Sequence, residues 1–219
     1  MRPSVLITAG PTHEPIDAVR YIGNRSSGRL GVALANEAGR RGWPATLLLG
    51  PVQVGPSESA VRVRRFVTCE DLRGLLGEEA PRADVVIMAA AVADYRPQRD
   101  TVLAGGKFRR TQGPLALQLE PTPDLIAEVA AKRTSGQLLV AFALEPAAEV
   151  VSSAREKLVR KGVDLVIGNP LETMNSERIE AVVVGRDGGE VRPGAMSKVE
   201  FAGWVMDQMA AWVNAKESG

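Results

Sequence analysis

A single cysteine, Cys69, and a single histidine, His13, exclude much before any motif is read. One thiol forms no intramolecular disulfide, and one thiol with one imidazole rules out thiolate clusters and multi-histidine metal centres. The natural setting for so cysteine-poor a chain is a reducing cytoplasm. Charge of neither sign dominates: 27 Lys and Arg against 26 Asp and Glu leave a net charge of +1. That balance offers no general attraction to nucleic acid or to an anionic membrane, so neither is an expected partner. No run approaches the roughly 18 apolar residues of a membrane span. The first residues lead into an apolar strand rather than a signal-peptide pattern.

Two nucleotide-binding motifs are missing as well. After Gly10 the next glycine is Gly23, so the G-x-G-x-x-G turn of dinucleotide sites is absent. The second apolar run ends in Leu49-Gly50-Pro51, with no acid to hold a ribose diol. No Gly-Lys-Ser/Thr follows a strand, which removes the P-loop. These absences argue against an NAD(P)-dependent reductase, which stays only as an alternative.

What is present is a chain of 219 residues, 45% hydrophobic and 24% charged, enough for the core of a single domain over 1–219. Short apolar runs at 4–8, 45–49, 83–93, 138–144 and 163–168 read as buried strands, and 61–67 alternates as a further strand. Between them, helical periodicity predicts helices from Ser26 or Ser27 to about Arg41, from Cys69 to Leu76 with Thr68 as cap, from Pro123 to Arg133 and from Ala147 to Lys161. Leu115 to Leu119 alternates as a short strand, and a β-hairpin is expected near 179–192 around Asp187-Gly188-Gly189. A closing helix from Ser197 to about Ala215 turns Phe201, Val205, Met209 and Trp212 inward. The order predicts an α/β fold, a doubly wound, mostly parallel Rossmann-like sheet flanked by helices, with a flexible loop near 97–114. Ligands in such sheets sit beyond the carboxyl ends of the strands.

Several segments fall at that end. The loop from Gly10 to Gly28 is far longer than the usual connection of about 2–6 residues, and it closes on Asn24-Arg25-Ser26-Ser27-Gly28 at a helix N-terminus, a place for an anion. Ala89 to Pro97 begins with small side chains that let a planar ligand approach the backbone, or that merely allow tight packing. Asp94 there suits a ribose hydroxyl or a magnesium ion, or is a turn residue. At 100° per residue, Lys157 and Lys161 share the face of Val150, Ala154 and Leu158. They either snorkel at the helix end or border a cleft holding a polyphosphate. Lys107-Phe108-Arg109-Arg110 is either a solvated run or a lid. Thr122-Pro123-Asp124 starts a helix, with Thr122 as N-cap, whose N–H groups can also meet a phosphate. Cys69 and His13 carry no evident chemistry.

In this order, AGPTHEPIDAVRYIGNRSSGRLG, AAAVADYRP, KFRR, TPDL, AFALE and KLVRKGVDLVIGN resemble phosphopantothenoylcysteine synthetase of the bacterial type, over about residues 3–170. The resemblance implies a phosphopantothenate–cysteine ligase of coenzyme A biosynthesis. Its partners are CTP, 4′-phosphopantothenate and L-cysteine, with Mg2+ assisting, and the expected state is a homodimer. No flavin is expected, a separate flavin-dependent decarboxylase being the partner for the next step. By motif, Asn24 matches the residue that handles the acyl-cytidylate. Met88, Ala89, Ala90, Asp94, Lys107, Thr122, Pro123, Asp124, Leu125, Phe142, Lys157 and Lys161 match nucleotide contacts. Gly10, Arg25, Ser26, Ser27 and Gly28 are the expected phosphate cradle, and Asp94 the candidate metal ligand. The family often has asparagine where Thr122 stands and lysines where Arg109 and Arg110 stand. A non-catalytic nucleotide-binding subunit of the same pathway is the alternative from another class.

Overall fold

The computed structural model describes residues 2–98, 106–110, 113–173 and 176–217. The first half contains β1 (Val5–Ala9), a ribbon of β2 (His13–Pro15) and β3 (Tyr21–Gly23), α1 (Arg29–Arg40), β4 (Ala45–Leu49), β5 (Val61–Arg65) and α2 (Cys69–Glu79). Next come β6 (Val85–Met88), β7 (Tyr95–Pro97), β8 (Leu119–Pro121), α3 (Leu125–Ala131), β9 (Leu138–Glu145) and α4 (Val150–Lys161). β10 (Leu165–Pro170), β11 (Arg178–Glu180), β12 (Val182–Gly185), β13 (Glu190–Val191), β14 (Ala195–Ser197) and α5 (Lys198–Glu217) follow.

Eight strands form one sheet in the order β13-β12-β10-β9-β6-β1-β4-β5. The six from β10 to β5 run parallel, and β12 and β13 pair antiparallel at one edge. β1 is central and buried at every residue. From it the chain winds outward through β4 and β5, then returns to β1's other side with β6. That reversal opens a crevice at the carboxyl ends of β1 and β6.

Strand alternation divides the core into two layers. Val5, Ile7 and Ala9 face one way, onto Leu34 and Ala38 of α1 and Phe201, Val205 and Met209 of α5. Leu6, Leu48 and Val86 face the other, onto Leu72 of α2, Ile126 of α3 and Leu158 of α4. Each fully buried large side chain of this kind contributes about 1.5–3 kcal/mol. α1 reaches β1 only because residue 31 is glycine: a Cβ there would lie 2.4 Å from the Ala9 Cβ and 3.1 Å from the Thr8 carbonyl oxygen.

The expected fold class holds, while local boundaries shift for tertiary reasons. α1 begins at Arg29 rather than Ser26 or Ser27. Its N-cap is Gly28 at φ +71°, and no side chain caps it. A Cβ at Gly28 would stand 3.1 Å from Val52 Cγ2 and 3.5 Å from the Gly10 nitrogen, so the chain turns over Gly10 without room for a serine cap. β6 stops at Met88, and Ala91 bridges Pro11 beyond it in the same parallel register. α3 is capped by Asp124, not Thr122, and ends at Ala131. α4 starts at Val150, three residues later than expected, and the strand expected from Leu115 is β8, from Leu119 to Pro121. The hairpin is only β12 with β13, since Ile179 pairs instead with Met196 in the β11–β14 ribbon.

Of the segment expected to be flexible, residues 99–105, 111 and 112 lie outside the described residues. Residues 106–108 are tied to the first loop. Ala18 N donates to Gly106 O at 2.9 Å, and Arg20 Nη2 donates to Phe108 O at 2.7 Å. The buried Asp17 carboxylate makes the junction. Its Oδ1 accepts from the Val19 and Arg20 N–H groups, each at 2.8 Å, and its Oδ2 accepts from Phe108 N at 3.1 Å. Burial alone pushes this carboxyl's pKa up, but those three N–H groups and the Arg20 charge hold it below the ordinary value.

Two outcomes follow from this packing. Gly31→Ala lowers the stability read by urea unfolding by about 1–3 kcal/mol; an unchanged midpoint would mean that α1 withdraws freely from β1. In Asp17→Asn the retained Oδ1 still serves Val19 and Arg20, but the new amide cannot accept from Phe108. Trypsin then cuts the variant faster at Lys107, Arg109 and Arg110, mapped by mass spectrometry, while circular dichroism stays native. Equal cleavage of variant and parent would show that Asp17 does not hold this segment.

Candidate functional site

A cavity of about 840 Å³ occupies the crevice at the strand ends. Its floor is the segment after β6. The buried Thr8 Oγ1 accepts from Ala90 N at 3.0 Å, and the buried Thr12 Oγ1 accepts from Ala93 N at 3.0 Å. Ala91 N donates to Gly10 O at 2.9 Å. The Ala90 N–H is thus already spent on Thr8, and a ligand meets a segment whose shape is set from below.

Four walls rise around this floor. The first loop supplies Asn24, Arg25, Ser26, Ser27 and Gly28. Asn24 Nδ2 donates to Val92 O at 2.9 Å, which fixes the loop's end over the floor. Ser26 and Ser27 do not cap α1, and both line the cavity. The stretch Thr122 to Leu125 forms the second wall. Thr122 Oγ1 donates to Ala93 O at 2.6 Å and its N–H to Asp94 O at 2.9 Å, so threonine here latches α3's approach to the floor. β9 supplies Phe142 and Glu145, and β10 supplies Asn169.

α4 completes the enclosure. Val150, Ala154 and Leu158 are buried, and Lys157 and Lys161 on the same face line the cavity. Lys157 Nζ donates to Phe142 O at 3.2 Å, and Lys161 Nζ pairs with Asp124 Oδ1 at 3.0 Å. Burial holds the Lys157 pKa below the usual lysine value, and the Lys161 and Arg160 charges lower it further. Glu145 and Asp94 oppose this. An ammonium held so is short of counter-charge, which an anion entering the cavity would supply. Of the two readings of these lysines, the cleft is the one the geometry favours.

Met88, Ala89, Ala90, Asp94, Pro123 and Leu125 line the same space. Two expected site residues do not. Gly10 lies under the floor at φ +85°, where a Cβ would meet Gly50 Cα at 3.3 Å, so its role is close packing. Lys107 is exposed on the tethered segment and is not part of the cavity wall. Sequence reasoning in turn missed Asn169, Arg29, Arg160 and Lys198, all of which line the cavity. Asn169 Oδ1 is fully buried and has no hydrogen-bond partner among the described residues. A polar residue closing an apolar strand was the available signal, since β10 runs parallel to β9 with Asn169 beside Leu144.

Cys69 and His13 stay quiet. The Cys69 thiol is buried, and burial together with the Glu14 charge pushes its pKa up to about 11, so it is no nucleophile near neutrality. His13 stacks on Tyr21 with ring centroids 3.6 Å apart. Among the described residues no group of three or more His, Cys, Asp or Glu side chains is placed to hold a metal by itself.

An anion at α4 restores the Lys157 proton affinity that burial removes. Pyrophosphate affinity is therefore full below the depressed Lys157 pKa and falls as pH rises through it. Lys157→Gln weakens pyrophosphate binding roughly tenfold near neutrality and flattens the alkaline limb relative to the parent, as read by calorimetric titration between pH 7 and 10. A variant with the parent's affinity and pH profile would remove Lys157 from the anion site.

Comparison with known proteins places this chain in a family. Residues 2–213 match the family described as DNA/pantothenate metabolism flavoprotein C-terminal domain. The coenzyme A biosynthesis bifunctional protein CoaBC of Thermococcus kodakarensis is 41% identical over 212 residues, 94% of this chain and 50% of that protein. A cysteine/cysteine sulfinic acid decarboxylase from an unknown prokaryotic organism is 41% identical over 77% of this chain and 46% of its own length. The chain thus spans about half the length of the curated relatives it matches. The crystal structure of the C-terminal domain of a coenzyme A biosynthesis bifunctional protein CoaBC superimposes with a TM-score of 0.81 at 28% identity, covering 99% of this chain and 97% of that one. The match over nearly every residue, with the same fold, makes this chain a member of the DNA/pantothenate metabolism flavoprotein C-terminal domain family.

Proposed function

We propose that the chain is a phosphopantothenate–cysteine ligase of coenzyme A biosynthesis, using CTP. One observation carries the reading: Asn24, tied to Val92 O, stands over the same cavity that Lys157 and Lys161 enter from α4. An acyl-phosphate chemistry needs such a pairing, a polar group at the reacting carboxylate and fixed cations at the phosphates.

In this reading the nucleoside lies along Met88 to Asp94 and beside Phe142. Its phosphates meet Lys157, Lys161 and the polar stretch from Thr122 to Leu125, with Ser26 to Gly28 opposite. The 4′-phosphopantothenate carboxylate attacks the α-phosphorus of CTP, and pyrophosphate leaves. The lysines stabilise the charge that builds on the phosphate oxygens. Asn24 holds the acyl-cytidylate while the cysteine amine attacks its carbonyl carbon, and CMP departs. Lys107, outside the wall, has no step in this sequence.

The donor set suits a magnesium ion held mainly by phosphates. The exposed Asp94 carboxylate, which lines the cavity, is the protein ligand in this reading. When bound, the ion adds positive charge against the triphosphate. In this reading the ligase uses no flavin, and the flavin-dependent step belongs to a separate decarboxylase that takes the product. A homodimer is the proposed functional state.

The test is incubation of the protein with CTP, Mg2+, 4′-phosphopantothenate and L-cysteine. Pyrophosphate release that requires phosphopantothenate, followed by amide formation, is expected. Asn24→Asp still releases pyrophosphate but stalls before the amide. CTP binding without any turnover would instead make the chain a non-catalytic nucleotide-binding subunit, and NADPH consumption would make it a reductase.

A further inference from the structure

Lys157 and Lys161 enter the cavity from α4, on one face of the sheet, but they are not its only cations. From the other face come Arg29, the first residue of α1, and Lys198, the first residue of α5. Both sit in an unfavourable place, because a helix N-terminus carries partial positive charge and repels a cation. Nothing nearby offsets this fully. α1 has no acidic residue in its first turn and no side-chain cap. Glu200 in the first turn of α5 is occupied by Ser197 N at 2.8 Å. Glu177 is the remaining carboxylate, and it pairs with Arg29.

Lys198 is left over. It is half-buried and forms no ion pair among the described residues. Burial holds its pKa below the usual lysine value, with Arg29 adding to the effect and Glu177 opposing it. Lys198 therefore faces the cavity as a half-buried cation with no ion pair of its own among the described residues, while the unpartnered Asn169 Oδ1 in the same cavity calls for a hydrogen-bond donor and not for the phosphate itself.

We propose that Lys198, supported by Arg29, is a second phosphate-binding pole of the cavity, distinct from the Lys157–Lys161 pole. The inference rests on the ligase reading, which asks one cavity to hold two phosphorylated reactants. Their phosphates repel one another, while the carboxylate of one must reach the α-phosphorus of the other. Cations entering from opposite faces of the sheet separate the phosphates and let the reacting ends meet. The ligand chemistry is a phosphate group, supplied either by the nucleotide or by the 4′-phosphate of phosphopantothenate.

Calorimetric titration of the full chain and of Lys198→Gln and Lys198→Arg, with CTP–Mg2+ and with phosphopantothenate in separate arms, tests this. Lys198→Gln weakens one of the two ligands about tenfold, and Lys198→Arg recovers most of the loss. The affected arm names the phosphate that Lys198 holds. If both affinities are unchanged, or if both fall together with the melting temperature and arginine restores neither, Lys198 is not a phosphate ligand. Failure of the parent chain to bind either compound would overturn the ligase reading itself and this inference with it.

Discussion

The six residues from Ala89 to Asp94 are the point on which the rest of the site depends. Thr8 and Thr12 hold them from β1's side, Gly10 accepts from Ala91, Asn24 reaches Val92, and Thr122 bonds to Ala93 and Asp94. The first strand with its loop and the approach to α3 are thereby fixed against one short segment. Small side chains are required there for a packing reason as well as for a ligand. The neighbours approach the backbone itself, and bulk would hold them off. Preorganisation of the cavity follows from this knot of bonds, with no need for a ligand to assemble it.

Much of the fold was legible in the sequence, because it rests on period. Apolar runs and alternation placed β1, β4, β5, β9 and β10 within a few residues, and the strand order implied a doubly wound sheet. The face shared by Lys157 and Lys161 with Val150, Ala154 and Leu158 was also a matter of period, and it led to the cavity. What misled was local propensity where a distant contact overrules it. Ser26 and Ser27 are good caps, yet Gly28 takes the cap because the chain must pass over Gly10. Thr122 looks like an N-cap, yet its hydroxyl serves Ala93 and leaves the cap to Asp124.

The site divides in the same way. Most residues inside contiguous motifs line the cavity, since their elements carry them to the strand ends. Lys198 was not singled out, because it reaches the cavity through the packing of α5, whose local sequence carries no site signature, and Asn169, although it ends a quoted motif, was passed over as the close of an apolar strand. Lys107 differs in the opposite direction, in that it does not line the cavity. Its motif suggested a ligand contact, but Asp17 and Arg20 draw the neighbouring residues onto the first loop. No periodicity in either segment reports a bond between residues 17 and 108.

The contact between Lys157 and Phe142 has a consequence for how this cavity can change. The ammonium is anchored on the backbone carbonyl of residue 142, not on its side chain. Replacement of the ring would reshape the surface offered to a planar ligand while the charge stayed anchored in place. Shape selectivity and phosphate affinity are therefore mechanically uncoupled at this position. On the ligase reading proposed above, a chain of this design could exchange one base for another without rebuilding the Lys157 anchor.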